Sequence, residues 1–547
     1  MPGQNLERPV SMLKEIFTQR IKRGFLRRLN NLMIAGMAKQ VAHRAPTPRG
    51  QPVVFFKAST GIDDLSWNSG FHLLTSWGFR LRGVPVIFFA CKAGMSRCVL
   101  GTDRDNPQKA PPCESCIYQS KTLYTEADTR WFTFDKDPEL ENALRDLGLE
   151  ELSTFKWKTD GGEVPLGELC LPGLRWILRM RNLEDNEKTR FLLREYISSA
   201  WNIAQKFTKF LVETNPRTVI VFNGQFFPEA AARWVAQKHK LRVITHEVGL
   251  QPASAFFTEG EATAYPIHIP DAFELSGEQN KRLDAYLEKR FHGQFSMAGI
   301  QFWSAMRGLD DDFLRKASAF EQIVPIFTNV IFDTSQAHAD TIFRDMFAWL
   351  DLVVQIIPSY PKSLFVIRAH PDETRIRKES RETVQRWLDE RGAQKMENVL
   401  FVAPRESLSS YELIQRSKFV MVYNSTIGLE ASIMGVPVLC AGRARFTQYP
   451  TVFFPQTVDE YQSKLQEFLK AGKIEVPPEF RRNARRFLYY QLFRTSLPFD
   501  SYLIPGVRTT QARLKSFDLD LLTPERSPAI RAVLKGTLEN GDFLLEE

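Results

Sequence analysis

The stretch T-V-I-V-F-N-G-Q-F-F-P-E-A-A-A-R-W-V-A-Q-K-H-K-L-R-V-I-T, residues 218–245, indicates the fold class of this chain. Residues 218–222 are an apolar run typical of a buried strand, Pro228 opens an alanine-rich helix, and residues 241–245 form the next apolar run. A strand, a helix and a strand in this order predict two parallel strands with the helix packed on the sheet. We therefore expect an α/β protein.

The same alternation continues on both sides of this stretch. Upstream, strands are predicted at residues 53–57 and 84–90, and a long helix has residues 192–211 along one face. A second series of strands is predicted at residues 325–332, 364–368, 399–403, 419–423 and 436–440. Two such series predict two Rossmann-like domains that face each other across a cleft.

We divide the chain into five segments on this pattern. They are a basic helical arm (1–49), an N-terminal Rossmann-like domain (50–300), a linker (301–322), a C-terminal Rossmann-like domain (323–475) and a C-terminal helical tail (476–547). The linker belongs to a stretch that mixes glycine, serine and charged residues, as hinges between domains do.

Composition excludes general disorder and an integral membrane protein. The 547 residues are 43% hydrophobic and 25% charged, which is enough for two or three packed domains. No apolar run reaches the roughly 18 to 20 residues that a membrane span needs. The N-terminus lacks the compact apolar stretch of a secretory signal, so we expect a cytoplasmic protein.

The formal charge of +8 is concentrated in the arm. Residues 1–50 contain ten Lys or Arg and two Glu, and the remaining residues are balanced. Leu13, Phe17, Ile21, Phe25, Leu29 and Leu32 recur at helical spacing, so residues 12–33 read as a basic amphipathic helix. One interpretation is attachment to an anionic membrane surface at the inner face of the plasma membrane; the other is packing against the protein itself. The neutral body offers no long basic groove, so nucleic acid is not an expected partner.

Four of the six cysteines fall within 26 residues, and this clustering requires an explanation. Because disulfides are rare in a reducing compartment, Cys91, Cys98, Cys113 and Cys116 predict a metal site. A structural zinc ion suits four thiolates, an iron–sulfur cluster is the second choice, and unligated thiols or a redox pair remain alternatives.

Residues that directly follow the strands are the candidates for ligand binding, because open parallel sheets bind ligands at the carboxyl ends of their strands. In the first domain these residues are Asn223, Gly224, His246, Glu247 and Gly249. In the second they are Asn329, Asp333, His370, Asn424, Ser425 and Thr426. Two such edges facing each other would bind a phosphorylated ligand.

The segment Y-N-S-T-I-G-L-E-A-S-I-M-G-V-P-V-L, residues 423–439, is the sharpest of these signals. Ser425 or Thr426 can cap the helix that follows, whose free amides attract phosphate, and Gly428 allows close approach of a ligand. Glu430 is a carboxylate among small and apolar neighbours, which requires hydrogen-bond donors. Ribose hydroxyls would supply them; the alternative is a glutamate that points to solvent.

Several segments resemble bacterial capsule and surface-polysaccharide glycosyltransferases of the two-domain GT-B type. They are T-N-V-I-F-D-T (328–334), F-R-D-M-F-A-W-L (343–350), V-I-R-A-H-P-D-E (366–373) and residues 424–439, with looser similarity at 220–231 and 245–252. The pairs Gln251-Pro252 and His370-Pro371 match the Gln-Pro and His-Pro pairs of capsule Kdo transferases.

The resemblance implies a glycosyltransferase that moves a sugar from a nucleotide-sugar donor to a capsular or lipid-linked glycan acceptor without a catalytic metal. His370 and residues Ser425 to Glu430 would bind the donor, with Arg368 and Arg405 near the departing phosphate. Asn223, Gly224 and Gln251 would face the acceptor, with His246 or Glu247 as general base and His370 as a further catalytic residue. The alternatives are a nucleotide-sugar epimerase of the same fold and an inactive scaffold that binds glycan or nucleotide.

Overall fold

The computed structural model describes residues 7–60, 62, 64–291, 308–375 and 379–547, and for residues 7–21 it gives the backbone alone. The strands, numbered β1 to β16 in chain order, are Val53–Phe56, Val86–Cys91, Asp128–Phe132, Trp157–Thr159, Gly162–Val164, Thr218–Phe222, Arg242–Val248, Ser254–Glu259, Gln322–Phe327, Ser363–Arg368, Val399–Val402, Val420–Val422, Val438–Cys440, Leu497–Pro498, Leu503–Pro505 and Ala512–Leu514.

The α-helices are numbered α1 to α18 in the same way. They are Glu7–Arg44, Trp67–Leu81, Cys113–Leu123, Pro138–Leu144, Leu149–Ser153, Leu166–Leu178, Glu187–Thr214, Glu229–Lys238, Gly277–Phe291, Asp311–Ala317, Gln336–Ala339, Met346–Ile356, Val384–Arg391, Ser410–Gln415, Ile427–Ile433, Val458–Lys470, Pro478–Tyr489 and Pro528–Leu538. Among the described residues, no helix has both the length and the apolar character to cross a membrane.

Two mainly parallel sheets organise the chain, as the alternation of strands and helices predicts. The first has the order β14-β8-β7-β6-β1-β2-β3, in which only β8 and β14 run antiparallel to their neighbours. The second has the order β11-β10-β9-β12-β13 and is parallel throughout. The mixed α/β class with parallel sheets is therefore confirmed.

Both faces of each sheet are covered by helices, which explains why the strands read as continuous apolar runs. In β1, Val53 and Phe55 belong to one core, which also contains residues of α2 and α18, whereas Val54 and Phe56 belong to another with residues of α7 and α8. The strands of the second sheet are shared in the same way between two further cores.

Some boundaries differ from the sequence predictions. The strand expected at 325–332 is β9, which begins at Gln322 and ends at Phe327, so Asn329 and Asp333 lie in the loop behind it. The predicted linker 301–322 lies outside the described residues up to residue 307, and its remainder contains α10. The tail predicted as helical also contains strands, and β14 extends the first sheet by pairing with β8.

The arm forms the single long helix α1, and one face of its C-terminal half is buried. Ile34, Met37, Ala38 and Val41 are in the core of the first sheet. The predicted apolar residues Phe25, Leu29 and Leu32 lie on the opposite face and are 60%, 46% and 71% exposed. Leu13, Phe17 and Ile21 lie outside the described side chains. The apolar stripe is therefore not the surface by which this part of the helix packs on the protein.

Candidate functional site

A cavity of about 260 Å³ lies at the C-terminal edge of the second sheet. Loops behind four of its strands line this cavity, with Asn329, Asp333, His338, His370, Asp372, Asn424, Ser425, Thr426, Arg443 and Arg445. Thr263, Ala264 and Pro266, from the segment behind β8, line its other side. The cavity thus lies where the strand-end rule for parallel sheets predicts a ligand, and it is shared by segments that follow both sheets.

The structure brings together six of the residues selected from the sequence: Asn329, Asp333, His370, Asn424, Ser425 and Thr426. The side-chain amide of Asn329 donates to Asn424 Oδ1 at 2.6 Å, which fixes two of these strand-end loops relative to each other. His370 Nδ1 accepts the backbone N–H of Asp372 at 3.1 Å. The neutral His370 ring therefore carries its proton on Nε2.

Two histidines of the cavity are neutral at pH 7. Burial lowers the pKa of His370, although Asp372 and Asp333 oppose the effect. Burial also lowers the pKa of His338, against the opposing influence of Glu261. His338 Nε2 lies 2.9 Å from Thr263 Oγ1 and 3.3 Å from Glu261 Oε2, so this ring connects the segments behind the two sheets.

Arg443 and Arg445 supply the cationic groups of the cavity, and the sequence analysis did not select them. Arg443 is exposed, and the Arg445 guanidinium lies 3.6 Å from the centroid of the Tyr265 ring. A guanidinium stacked on an aromatic ring is held in one orientation while its N–H groups can still bind phosphate. The signal was present, since A-G-R-A-R (441–445) directly follows β13 and the strand-end rule applies to it as well.

Glu430 does not line the cavity, which contradicts the predicted ribose contact. Its Oε1 accepts Arg290 Nε at 2.7 Å, its Oε2 accepts the hydroxyl of Tyr411 at 2.5 Å, and the residue is 3% exposed. Burial alone would lower the pKa of Arg290, but Glu430 and the two tyrosines beside it raise it above its ordinary value. The donors that the carboxylate requires are thus protein groups, and the solvent-facing alternative is also wrong.

The remaining residues of the 423–439 segment are explained by packing. Thr426 stands at the N-terminus of α15, but no side-chain oxygen caps this helix, contrary to prediction. A Cβ on Gly428 would meet Val422 at 2.9 Å and Phe446 at 3.2 Å, so the glycine allows close packing of α15 on the sheet. Arg368 is also away from the cavity: it is buried and donates to the carbonyl of Leu408 at 2.6 Å.

At the edge of the first sheet, His246 is buried and does not line the cavity, which contradicts its predicted role as a general base. Its Nε2 lies 3.1 Å from Nδ1 of His72, and its ring stacks on Phe257. Burial, followed by the charge of Lys57, lowers the pKa of His246 well below its ordinary value. A fully buried imidazole without contact to the cavity is a core histidine, bonded here to a second histidine.

Glu247, Asn223, Gly224 and Gln251 lie at this first edge but outside the lining of the cavity. Glu247 accepts hydrogen bonds from Asn223 Nδ2 at 2.8 Å and from Asn68 Nδ2 at 3.0 Å, so these side chains form one polar group. Gly224 has φ +80°, which explains the glycine that follows β6. The Gln251 carbonyl accepts the hydroxyl of Ser254 at 2.6 Å.

A buried lysine and glutamate accompany this group, and the sequence analysis missed them. Burial lowers the pKa of Lys57, against the opposing charges of Glu229 and Glu247. Burial raises the pKa of Glu229 to about 7, against the influence of Lys57. Lys57 follows β1 directly, so only the register of the fold reveals that it points into the interior.

The four clustered cysteines are brought together around a second, smaller cavity. However, the described residues contain no group of three or more His, Cys, Asp or Glu side chains arranged to hold a metal ion. The metal site predicted from the spacing stays a prediction. Cys170 and Cys440 are buried and separate from the cluster.

Comparison with known proteins places part of the chain in a family. Residues 299–451 match the model of the family described as capsule polysaccharide biosynthesis protein. No sequence among the curated proteins matches the chain significantly. The matched range includes the four segments that carry the closer resemblance, at residues 328–334, 343–350, 366–373 and 424–439. It also includes Arg443 and Arg445.

Solved structures similar to this chain include two of KpsC from Thermosulfurimonas dismutans. The β-Kdo 2,4-transferase is 12% identical, with 51% of this chain and 80% of that chain covered and a TM-score of 0.33. The β-Kdo 2,7-transferase is 12% identical, with 57% and 85% covered and a TM-score of 0.32.

A UDP-GlcNAc 2-epimerase from Neisseria meningitidis, bound to UDP-GlcNAc, is 13% identical, with 81% and 99% covered and a TM-score of 0.23. Since all three TM-scores are below 0.5, the assignment rests on the sequence match. The resemblance predicted from the motifs is thus confirmed by the match of residues 299–451 to the model of the capsule polysaccharide biosynthesis family.

Proposed function

We propose that the protein is a GT-B-type glycosyltransferase of surface-polysaccharide synthesis, which transfers a sugar from a nucleotide-sugar donor to a glycan or lipid-linked acceptor. The observation that carries the proposal is the cavity at the edge of the second sheet, where two arginines, two neutral imidazoles and the Asn424–Thr426 loop converge. Its position in the segment that matches the capsule polysaccharide biosynthesis family supports the same activity.

The donor binds with its phosphates against Arg443 and Arg445. Guanidinium groups bind phosphate oxygens through paired N–H donors, and each such charged contact contributes about 1.5–3 kcal/mol. Asn424, Ser425 and Thr426 supply amide and hydroxyl groups beside them, and His370 Nε2–H is a further donor toward the sugar or the leaving phosphate. None of these contacts requires a metal ion.

The transfer step forms a bond between the acceptor oxygen and the anomeric carbon and breaks the bond from that carbon to the phosphate oxygen. The nucleotide leaves with the bonding electrons, and the arginines stabilise its charge. The acceptor hydroxyl loses its proton to Asp333, an exposed carboxylate that lines the cavity. The acceptor approaches from the first sheet, where Asn223 and Glu247 form a hydrogen-bonded polar group.

The test is sugar transfer by the full chain, measured with CMP-, UDP- and GDP-sugars and lipid-linked or oligosaccharide acceptors. Transfer that requires both substrates and is lost in Asp333→Asn and Arg443→Ala supports the proposal. Conversion of the free nucleotide-sugar to an isomer would identify an epimerase instead. Nucleotide binding without turnover on any acceptor would identify a scaffold.

A control for the arginines is available at Arg405, which is exposed, follows the neighbouring strand β11 and does not line the cavity. Arg405→Ala removes the same charge as Arg443→Ala. Equal loss of nucleotide binding in the two variants would show that general electrostatic attraction, and not the cavity, holds the donor.

We further propose that α1 holds the enzyme on an anionic membrane surface, where lipid-linked acceptors are found. Phe25, Leu29 and Leu32 are exposed on one face of the helix, and Lys22, Arg28 and Lys39 are exposed with them. An apolar face flanked by basic residues inserts into the headgroup region, and each basic residue adds about 1 kcal/mol near anionic lipid.

The measurement is co-sedimentation with vesicles of phosphatidylglycerol, compared with vesicles of phosphatidylcholine. The combined variant Phe25→Ser, Leu29→Ser, Leu32→Ser should lose binding to the anionic vesicles. Val212→Ser, at a valine that is 69% exposed on α7, should retain it. Equal binding of the triple variant and the wild type would refute the membrane proposal.

A further inference from the structure

The four cysteines that cluster in the sequence enclose one cavity in the first half of the molecule. Cys91 ends β2, Cys98 lies in the loop behind it, and Cys113 and Cys116 lie in the first turn of α3. All four side chains line the same cavity, and most of the other lining residues are apolar: Ala58, Ile62, Met95, Pro111, Pro112 and Ile117 among them. Each of the six pairs of thiols is close enough to interact electrostatically.

Backbone amides are directed at two of the sulfur atoms. The N–H of Gly94 donates to Cys91 Sγ at 3.1 Å, and the N–H of Gly101 donates to Cys98 Sγ at 3.3 Å, three residues after the cysteine in both cases. Hydrogen bonds of this kind stabilise the sulfur ligands of metal clusters.

Both turns require glycine. A Cβ at Gly94 would lie 2.2 Å from the Phe132 ring, and one at Gly101 would lie 2.8 Å from Pro111 and 2.9 Å from Cys98 Sγ. Because these two positions have no side chain, the backbone of the loop can approach closely enough for its N–H groups to bond to the two sulfur atoms.

A buried lysine lies close to one of the four cysteines. The ammonium group of Lys57 is buried and interacts electrostatically with Cys116. Four thiolates around a metal centre carry net negative charge, and a buried cation nearby reduces the cost of placing that charge in an apolar site.

We propose that Cys91, Cys98, Cys113 and Cys116 together bind an iron–sulfur cluster. Four cysteine thiolates are the usual ligand set of such clusters. A cluster suits this site because the four thiols line one shared, mostly apolar cavity and backbone amides donate to two of the sulfur atoms.

The role of the cluster is structural. It ties the end of β2 and the loop behind it to α3, and α3 in turn holds α1, because the amides of Gln119 and Asn31 exchange two hydrogen bonds of 3.1 Å. The cluster site is separate from the donor cavity and shares no lining residue with it. This inference therefore does not depend on the proposed transferase activity.

The test is the metal and sulfide content of the full chain purified without oxygen, before and after reconstitution with ferrous iron and sulfide. Iron and acid-labile sulfide, roughly four of each per chain for a four-iron cluster, with broad visible absorption that dithionite bleaches, support the proposal. One zinc ion per chain without sulfide, or no metal after reconstitution, would overturn it.

Variants assign the ligands. Cys98→Ser and Cys116→Ser should each lower the iron content and lower the melting temperature, whereas Cys170→Ser and Cys440→Ser remove buried cysteines outside the cluster and should leave the iron content unchanged. Circular dichroism and a cooperative thermal transition report whether the variants are folded. Full iron content in a folded Cys98→Ser variant would contradict the assignment.

Discussion

The carboxyl edges of the two sheets obey the same topological rule and differ in outcome. Behind the second sheet, polar side chains surround an open cavity with exposed cations and carboxylates. At the corresponding edge of the first sheet, His72, His246, Lys57 and Glu229 are buried, and the His246 ring stacks on Phe257. The difference teaches that a polar residue after a parallel strand marks either a ligand site or a sealed polar core, depending on what covers that edge.

The largest expected effect concerns the buried pair that the sequence placed in the donor site. Glu430→Ala should destabilise the protein by about 3–5 kcal/mol in urea unfolding, because it removes the carboxylate that faces the buried Arg290. The double variant Glu430→Leu with Arg290→Leu should recover most of this loss.

Nucleotide affinity of the folded fraction should be unchanged in Glu430→Ala, since Glu430 does not line the cavity. Weaker nucleotide binding at wild-type stability would indicate that Glu430 contacts the ribose of the nucleotide. The assignment of the donor site to the cavity would then be wrong.

The next prediction concerns the cavity at the edge of the second sheet. Arg443→Ala should weaken nucleotide binding roughly 10- to 100-fold, the equivalent of one or two charged hydrogen bonds of about 1.5 kcal/mol each. Its urea midpoint should stay that of the wild type because Arg443 is exposed. Titration calorimetry with nucleotides measures the effect, and Arg405→Ala is the reference for charge alone.

A substitution at Gly428 tests whether this glycine serves the packing of α15 or the approach of a ligand. Gly428→Ala places a methyl group against Val422 and Phe446, so we expect a loss of about 1–3 kcal/mol in unfolding free energy. Nucleotide affinity should change little. Reduced affinity at wild-type stability would show that the glycine serves the ligand.

The last prediction is a pH dependence of stability that arises at the buried edge of the first sheet. Because burial depresses the pKa of His72 and His246, both stay neutral in the folded protein while they protonate near pH 6.5 in the unfolded chain. Their contribution to stability is present above pH 6.5 and is lost as pH falls below it, by up to about 1.4 kcal/mol per pH unit for each histidine.

The measurement is unfolding free energy between pH 5 and 8 for the wild type and for His72→Phe with His246→Phe. As the pH falls, the unfolding free energy of the wild type should decrease relative to that of the double variant, so that their difference shrinks or reverses. The variant His239→Gln, at an exposed histidine, should show the same pH dependence as the wild type. Lys57, Glu229 and Glu247 face the same cluster and stay in both proteins, so they cancel in the comparison. If the unfolding free energies of the two proteins changed with pH in parallel, the two imidazoles would titrate alike in the folded and unfolded states, and the prediction would be wrong.

Local sequence patterns were sufficient for much of the fold. The strand predicted at 218–222 is β6 itself, and most of the other predicted strands agree to within a few residues, since buried parallel strands are short apolar runs. The antiparallel strands β8 and β14 were missed, because β14 is two residues long and its pairing depends on a chain segment more than 200 residues away. The strand-end rule selected His370 and Asn424 correctly for the cavity, and would have selected Arg443 if applied to β13.

What the sequence by itself determined is the α/β class, the family segment, the concentration of positive charge in the arm and the clustering of four cysteines. Whether a given polar residue faces a cavity or the core was decided by tertiary structure alone. Glu430 lies four residues beyond Thr426 and still turns inward to Arg290. His246, predicted to follow a strand, lies within β7 and stacks on Phe257. The periodicity of the sequence indicates whether a residue belongs to a helix or a strand. The side chain that it contacts belongs to an element distant in the chain, so the contact is determined only when the elements pack together.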